Sequence, residues 1–149
     1  MFTEALYENA LGTYRVRLEA LLQIPTNASD QDIHELIEAG FSPSNVKALC
    51  DLGRISMLEC DQIIPLKTLN ARLVRGQQLT VEESDHLFRV AHIIAMAQTL
   101  FGDDEKAKRW LFESKDRFSG KSLVAMLSTT QGTHLVEEVL IQVAEGFVF

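Results

Sequence analysis

The apolar residues in the middle of the chain recur with the spacing of an α-helix and predict one long helix. On one face they are Leu87, Val90, Ala91, Ile94, Ala97 and Phe101. Intervals of three and four residues place side chains along one side of a helix. Thr80 and Glu83 form a capping box at its start, and Gly102 supplies the left-handed position at its end. We therefore predict a helix over residues 81–101, which spans about 30 Å at roughly 1.5 Å per residue.

Between Ile93 and Ala97 every residue of this helix is apolar. No side of the helix can face water there, so it must be covered all the way round. Either the helix lies at the centre of its own domain, or part of its surface is shared with a second subunit. We expect the helix to link the two halves of the fold and to take part in dimerisation.

Four shorter helices are predicted before the long one. The first follows T-N-A-S-D and ends at Gly40, the second runs from Pro43 to Gly53, the third from Ser56 to about Gln62, and the fourth from Pro65 to Gly76. In the second helix the residues expected on the inner face are Val46, Leu49, Cys50 and Leu52. Pro65 forces a turn between the third and fourth helices. A short helix, a tight turn and a basic helix form the order of a helix-turn-helix module.

The two ends of the chain are read differently. Residues 1–28 contain an alternation of Tyr14, Val16 and Leu18 that permits a short strand, so we expect an arm or edge strand; a frayed helix is the open alternative. The last third is helical, with a short helix in L-V-A-M-L and a final helix over residues 129–145. In that helix the residues expected inward are Leu135, Val136, Val139, Leu140 and Val143.

The basic helix after Pro65 has two unlike faces. Leu66, Leu69 and Leu73 form its buried stripe, and Asn70 falls near that stripe. The opposite face presents Lys67, Thr68, Ala71, Arg72 and Arg75. Cations and small side chains on one face suit a DNA major groove. A solvated basic surface is the alternative. The net charge is −7, yet residues 54–76 hold four basic residues against two acidic ones.

Composition and spacing exclude several other classes of protein. With 46% hydrophobic residues and three prolines, the chain can bury a sizeable core. No apolar run approaches bilayer length, and the acidic first residues contain no basic leader, so we expect a cytoplasmic protein without membrane contact. Cys50 and Cys60 are expected to be buried thiols. Because there is no metal-ligand spacing, phosphate-binding glycine loop or nucleophile motif, we expect no catalytic site, metal, cofactor or small-molecule substrate.

Several motifs resemble the Xre/MbcA/ParS antitoxin family. They are T-L-x-x-R at Thr68, Leu69 and Arg72, E-S-D at Glu83, Ser84 and Asp85, and A-x-x-W-L at Ala107, Trp110 and Leu111. Later, S-G-K-S-L-V-A-M-L and Q-G-x-x-L-V-E are similar to that family's C-terminal toxin-binding domain. The chain departs from the family at His86, where arginine is common, and at Ser122, where proline is common. Trp110 shares a face with Ala107 and Leu111, so we expect it in the core.

The resemblance implies an all-α fold with a helix-turn-helix N-terminal domain and a small helical C-terminal toxin-binding domain, joined by the long helix. The expected boundaries are 1–28 for the arm, 29–80 for the DNA-binding domain, 81–101 for the linking helix and 102–149 for the toxin-binding domain. The resemblance also implies an antitoxin that neutralises a RES-domain, NAD-degrading toxin and represses its own operon. Because helix-turn-helix proteins read two half-sites and the long helix has apolar surface to share, we expect a homodimer within a larger complex. The alternatives are a transcriptional regulator without a toxin partner and a pure protein-interaction module.

The last residues supply the candidate toxin contact. Gly146 ends the final helix, and Phe147, Val148 and Phe149 follow it. Three apolar residues exceed what a helix cap requires, and exposed apolar surface suggests a partner. Our hypothesis is that this tail enters the toxin and obstructs its substrate pocket. Its terminal carboxylate is expected to meet a cation that otherwise holds an NAD phosphate.

Overall fold

The fold is all-α in the computed structural model, which describes residues 8–113 and 118–144. The described α-helices are α1 (Glu8–Leu22), α2 (Asp30–Ala39), α3 (Pro43–Leu52), α4 (Met57–Ile63), α5 (Leu66–Arg75), α6 (Val81–Phe101), α7 (Asp104–Phe112) and α8 (Thr130–Ala144). A 3-10 helix at Val124–Ser128 lies between α7 and α8. The predicted all-α class is therefore confirmed.

The central helices begin and end where their capping residues predict. Thr80 Oγ1 accepts the Glu83 N–H at 3.1 Å, and the Glu83 carboxylate accepts the Thr80 N–H at 2.9 Å. Gly102, at φ 68°, ends α6 in the left-handed region, which favours glycine. Pro65 precedes α5, and Gly76 ends it with a φ of 62°. These local signals gave both helices their correct bounds.

Helix α6 lies at the centre of the fold. Every residue from Ile93 to Ala97 is buried within the single chain. Helix α1 packs along α6, and α7, the 3-10 helix and α8 also contact it. The first of the two predicted arrangements is therefore the one found. The 93–97 segment leaves no exposed apolar surface for a second subunit.

The arm at the start of the chain is a helix, so the expected edge strand is wrong over Glu8–Leu22. Leu18, Leu21 and Leu22 are buried, and Tyr14 packs against the core, whereas Val16 is exposed. A strand would place Tyr14, Val16 and Leu18 on one side, but a helix rotates Val16 away from the other two. Burial of the helical stripe therefore decides between the two readings.

Two side chains expected inward, and one expected near the buried stripe of α5, are exposed. Leu52 is 60% exposed, Leu135 is 45% exposed, and Asn70 also lies on the surface. At roughly 100° per residue, Leu52 and Leu135 each lie about 100° from the centre of the buried face of their helix. Both leucines therefore lie outside the buried face of their helix. The predicted short helix in L-V-A-M-L is the 3-10 helix.

A polar array fastens α8 to α6 and α1. The Tyr14 hydroxyl lies 2.5 Å from His92 Nδ1, and His92 Nε2 lies 2.8 Å from Glu137 Oε2. The other Glu137 oxygen lies 3.1 Å from His134 Nδ1. Burial alone would raise the pKa of the Glu137 carboxyl, but the hydrogen bonds and charges of the two histidines outweigh it and lower that pKa.

The start of α8 packs against the 3-10 helix so closely that it requires glycine. A Cβ built on Gly132 would lie 1.9 Å from the Met126 carbonyl oxygen. The Gly132 N–H also donates to Thr129 Oγ1 at 2.9 Å, which fixes the first turn of the helix. Because the obstructing atom is backbone, a side chain at residue 132 forces the two elements apart.

We predict that Gly132→Ala destabilises the protein by about 3 kcal/mol, the upper part of the range for overpacking. The melting temperature should fall by on the order of 10 °C for a chain of this size. Gly12→Ala is the matched control, because a Cβ on this helical glycine of α1 meets nothing within 4 Å. It should stabilise α1 by about 0.5 to 1 kcal/mol. Equal melting temperatures for the two variants would contradict the close approach.

We also predict that Glu137→Gln lowers the free energy of unfolding by about 1.5 kcal/mol at neutral pH, because a charged hydrogen bond is lost. The folded-state pKa of Glu137 is lowered, so its contribution is present above the usual carboxyl pKa of 4.5. The difference between the two proteins should therefore shrink as the pH falls through the lowered folded-state pKa. Urea unfolding at several pH values measures it. The exposed neighbour Glu138 is the control, and a Glu138→Gln effect of equal size would argue against the array.

Candidate functional site

The basic face of α5 is the first candidate surface. Lys67, Ala71 and Arg75 are exposed as predicted, and Thr68 is half-buried. Within the described ranges, neither the Lys67 ammonium nor the Arg75 guanidinium has an ion-pair partner. Asn70, which the helical wheel placed near the buried stripe, adds an amide to the same exposed surface. Helix α5 thus offers two free cations and an amide to a partner.

Arg72 differs from the other predicted contact residues. Its Nε and Nη2 lie 3.2 Å from the two oxygens of Glu83, and its Nη1 donates to Gln77 at 3.2 Å. Burial alone would raise the pKa of Glu83, but hydrogen bonds from Arg72 and Thr80 lower it. A guanidinium held on two carboxylate oxygens is fixed in direction. Arg72 therefore orients α5 against the start of α6.

The two residues after Glu83 anchor two further elements to α6. Ser84 is fully buried, and its hydroxyl accepts the Phe41 N–H at 2.9 Å, which holds the turn between α2 and α3. Asp85 pairs with Arg89. Arg89 in turn donates to the carbonyl oxygens of Leu127 at 2.9 Å and Ser128 at 3.3 Å, at the end of the 3-10 helix. Sequence reasoning missed Arg89, because no local pattern marks a partner 38 residues away.

The second candidate surface is the C-terminal region after residue 101. Its first helix, α7, is held against the N-terminal half. Its inner face buries Ala107 and Leu111, while Trp110 is half-buried with its ring centroid 5.4 Å from that of Phe101. The tryptophan thus lies at the edge of the core. Polar contacts of α7 cross to the other half, and the shortest are these. Arg17 pairs with Asp104 at 2.8 Å, and the Lys108 ammonium donates to the Arg54 carbonyl at 2.5 Å.

The predicted toxin contacts lie outside the described residues. Helix α8 ends at Ala144, and Gly146, Phe147, Val148 and Phe149 follow it along the chain. Their assignment stays a prediction. The structure shows that the helix leading to them is fixed by Gly132 at its start and by Glu137 in its middle.

In residues 8–113 and 118–144 no group of three His, Cys, Asp or Glu side chains could hold a metal ion. A cavity of ≈ 230 Å³ lies between α1, α2, α6 and α8, lined mostly by apolar side chains. It is smaller than most ligand pockets, which measure about 300–1,000 Å³. No helix in the described part of the chain is long and apolar enough to cross a membrane.

Two comparisons with known proteins bear on this arrangement. Residues 96–146 match the antitoxin Xre/MbcA/ParS C-terminal toxin-binding domain. The antitoxin Xre of Pseudomonas putida is 52% identical over 147 residues, which cover 99% of this chain and 92% of that protein. The matched domain begins in α6, runs through α7 and α8, and ends at Gly146. The chain therefore belongs to the Xre/MbcA/ParS antitoxin family and carries its toxin-binding domain at the C-terminal end.

Proposed function

We propose that this antitoxin neutralises a RES-domain toxin, an enzyme that degrades NAD. The antitoxin does so by occupying the mouth of the toxin's active site, and it also represses its own operon. Family membership over nearly the whole chain, together with the toxin-binding domain, carries the proposal. The RES identity of the partner comes from the family resemblance. A helix-turn-helix regulator without a toxin partner is the alternative.

The obstruction of the toxin is assigned to residues 146–149. They come after α8 in the sequence, and α8 is held against α6 and the 3-10 helix by the Glu137 hydrogen bonds and the Gly132 contact. A segment that leaves a fixed helix loses less freedom on binding than one that leaves a mobile loop. Phe147, Val148 and Phe149 supply apolar surface for a pocket. This supports a tail that reaches into the toxin.

We predict that deleting residues 147–149 abolishes neutralisation. The chain and its truncated form would each be co-expressed with the toxin encoded by the adjacent gene, and growth and cellular NAD would be measured. Growth and NAD should fall in the truncated strain, because the active site is open. The melting temperature should be unchanged, since the core formed by the described residues runs from Leu18 to Leu140.

Two further variants sharpen this test. Replacing Phe147, Val148 and Phe149 with serine keeps the length and removes the apolar surface, so it should fail as the deletion does. Val74→Ser removes an exposed apolar side chain from α5 and should protect as the unchanged chain does. Full protection by the truncated chain would refute the assignment of the tail.

DNA binding is assigned to the α4–turn–α5 segment. Helix α5 carries the free cations Lys67 and Arg75, with Thr68 and Ala71 on the same side. Exposed cations bind phosphates or guanine edges, and small side chains allow the helix to approach the groove. Arg72 is assigned to positioning, because Glu83 already holds its guanidinium. A homodimer would present two such helices to the two halves of an operator.

We predict that Lys67→Ala and Arg75→Ala each weaken binding to the operon's promoter DNA. Fluorescence anisotropy over a range of salt concentrations measures it. Each variant that removes a phosphate contact should reduce the slope of log affinity against log salt by about 1. Lys47→Ala is the control, because it removes an exposed cation from α3 with the same change in net charge. Arg72→Ala should instead lower the melting temperature, since it releases Glu83.

A chain with no sequence-specific DNA binding at low salt would contradict the repressor half of the proposal. If that chain still protects cells from the toxin, the antitoxin half stands alone. If the chain instead binds promoter DNA, and the product of the adjacent gene is neither toxic nor bound by the chain, the regulator alternative is correct.

A further inference from the structure

Four residues form the outward side of α5, namely Lys67, Asn70, Ala71 and Val74. All four side chains are exposed, and Val74 is 87% exposed. Intervals of three, four and seven residues place them on one side of a helix, so they share one continuous surface. Homeodomains read bases in the DNA major groove through side chains of one helix at this spacing. We call these four residues the outer face of α5.

The outer face differs from the face that the sequence predicts, because two of the predicted contact residues turn towards the protein. Thr68 is half-buried, and Arg72 is half-buried with its guanidinium held on Glu83. An arginine in the middle of a recognition helix would be the usual reader of guanine. The engagement of Arg72 with Glu83 leaves the middle of the outer face to uncharged side chains.

The two free cations of α5 lie near its opposite ends. Lys67 and Arg75 are eight residues apart in the sequence. This separation is about 12 Å along a helix that rises roughly 1.5 Å per residue. The major groove of B-DNA is also about 12 Å wide. A helix lying in the groove can therefore place its two cations on phosphates, while the side chains between them face the base edges.

Asn70 and Val74 have the chemistry to recognise A·T base pairs. An asparagine amide pairs with N6 and N7 of adenine, and an apolar side chain contacts the 5-methyl group of thymine. Within residues 8–113 and 118–144 the Asn70 amide makes no hydrogen bond, so it is available to a base. Side chains one helical turn apart stand about 5–6 Å apart, which suits adjacent base pairs stacked about 3.4 Å apart. Ala71, beside them, is small enough to let the helix approach.

We propose that Asn70 and Val74 determine which operator sequence this protein binds. Asn70 pairs with an adenine, and Val74 contacts the 5-methyl group of a thymine in the adjacent base pair. Lys67 and Arg75 bind phosphates, which fixes the position of the helix and carries no sequence information. The inference rests on the proposed DNA binding by α5 and adds the bases that this helix recognises.

Binding of the full chain to duplexes with single altered bases tests the proposal. Footprinting with the unchanged chain first locates the half-sites in the promoter DNA, and fluorescence anisotropy then measures affinity. Replacing one adenine with 7-deazaadenine removes its N7 acceptor, and affinity should fall at least about 5-fold at the adenine that Asn70 reads. Replacing one thymine with deoxyuridine removes its methyl group, and affinity should fall about 4-fold at the thymine that Val74 contacts.

Variants of the two residues assign each base preference to its side chain. Asn70→Ala should bind the 7-deazaadenine duplex and the unaltered duplex equally, and Val74→Ala should do so for the deoxyuridine duplex. Both variants should keep the salt dependence of the unchanged chain, because neither removes a phosphate contact. Asn27→Ala and Val16→Ala are the matched controls. They remove an exposed amide and an exposed valine outside α5 and should keep both base preferences.

The outcomes separate this inference from the proposed function. Melting temperatures establish that the variants fold. If the unchanged chain binds its operator but Asn70→Ala and Val74→Ala keep both base preferences, the assignment of these residues is wrong and the proposed repression stands. An unchanged chain without sequence-specific DNA binding would contradict both. Variants that keep both base preferences but no longer co-purify with the toxin would place the outer face in the toxin interface and overturn the inference.

Discussion

The complete burial of α6 between Ile93 and Ala97 is the constraint on which the rest of the structure depends. A helix that is apolar on every side must be enclosed, and no single layer can do so. Helix α1 covers one side, and α7, the 3-10 helix and α8 cover others. One hydrophobic core therefore runs from Leu18 to Leu140. The proposed DNA-binding helices and the toxin-binding domain share that core, so neither half has a separate hydrophobic core.

The E-S-D motif shows how polar residues complete what burial begins. Consecutive residues of an α-helix point about 100° apart, so three of them in one turn can reach three different neighbours. Glu83 holds α5 through Arg72, Ser84 holds the turn before α3 through the Phe41 N–H, and Asp85 positions Arg89, which holds the 3-10 helix. In this protein the motif is a structural junction at the start of α6.

The sequence predicts the elements of this fold better than their contacts. Helices α5 and α6 were bounded correctly because capping residues and glycines act within one turn. The strand expected at Tyr14–Leu18 is wrong. Residues 14 and 18 lie on the same side of the chain in a strand and in a helix, so only the exposure of the residue between them distinguishes the two. The hydrogen bonds from Arg72 to Glu83 and between Tyr14 and His92, 78 residues apart, depend on how the helices pack against each other. Local sequence patterns do not determine that packing. Two of the predicted DNA contacts are free cations, while Arg72 is committed within the chain.

The contacts that hold α8 order the last helix of the toxin-binding domain. The groups that hold α8, namely Gly132, Glu137 and the carbonyl oxygens bound by Arg89, lie at its start and middle. Each acts on α8 or on the 3-10 helix before it, upstream of the residues predicted to contact the toxin. Order in α8 is established during folding, so the proposed toxin contact would begin from a helix that the fold itself has fixed. Because Tyr14 and His92 belong to the array that holds Glu137, α1 and α6 help to position α8.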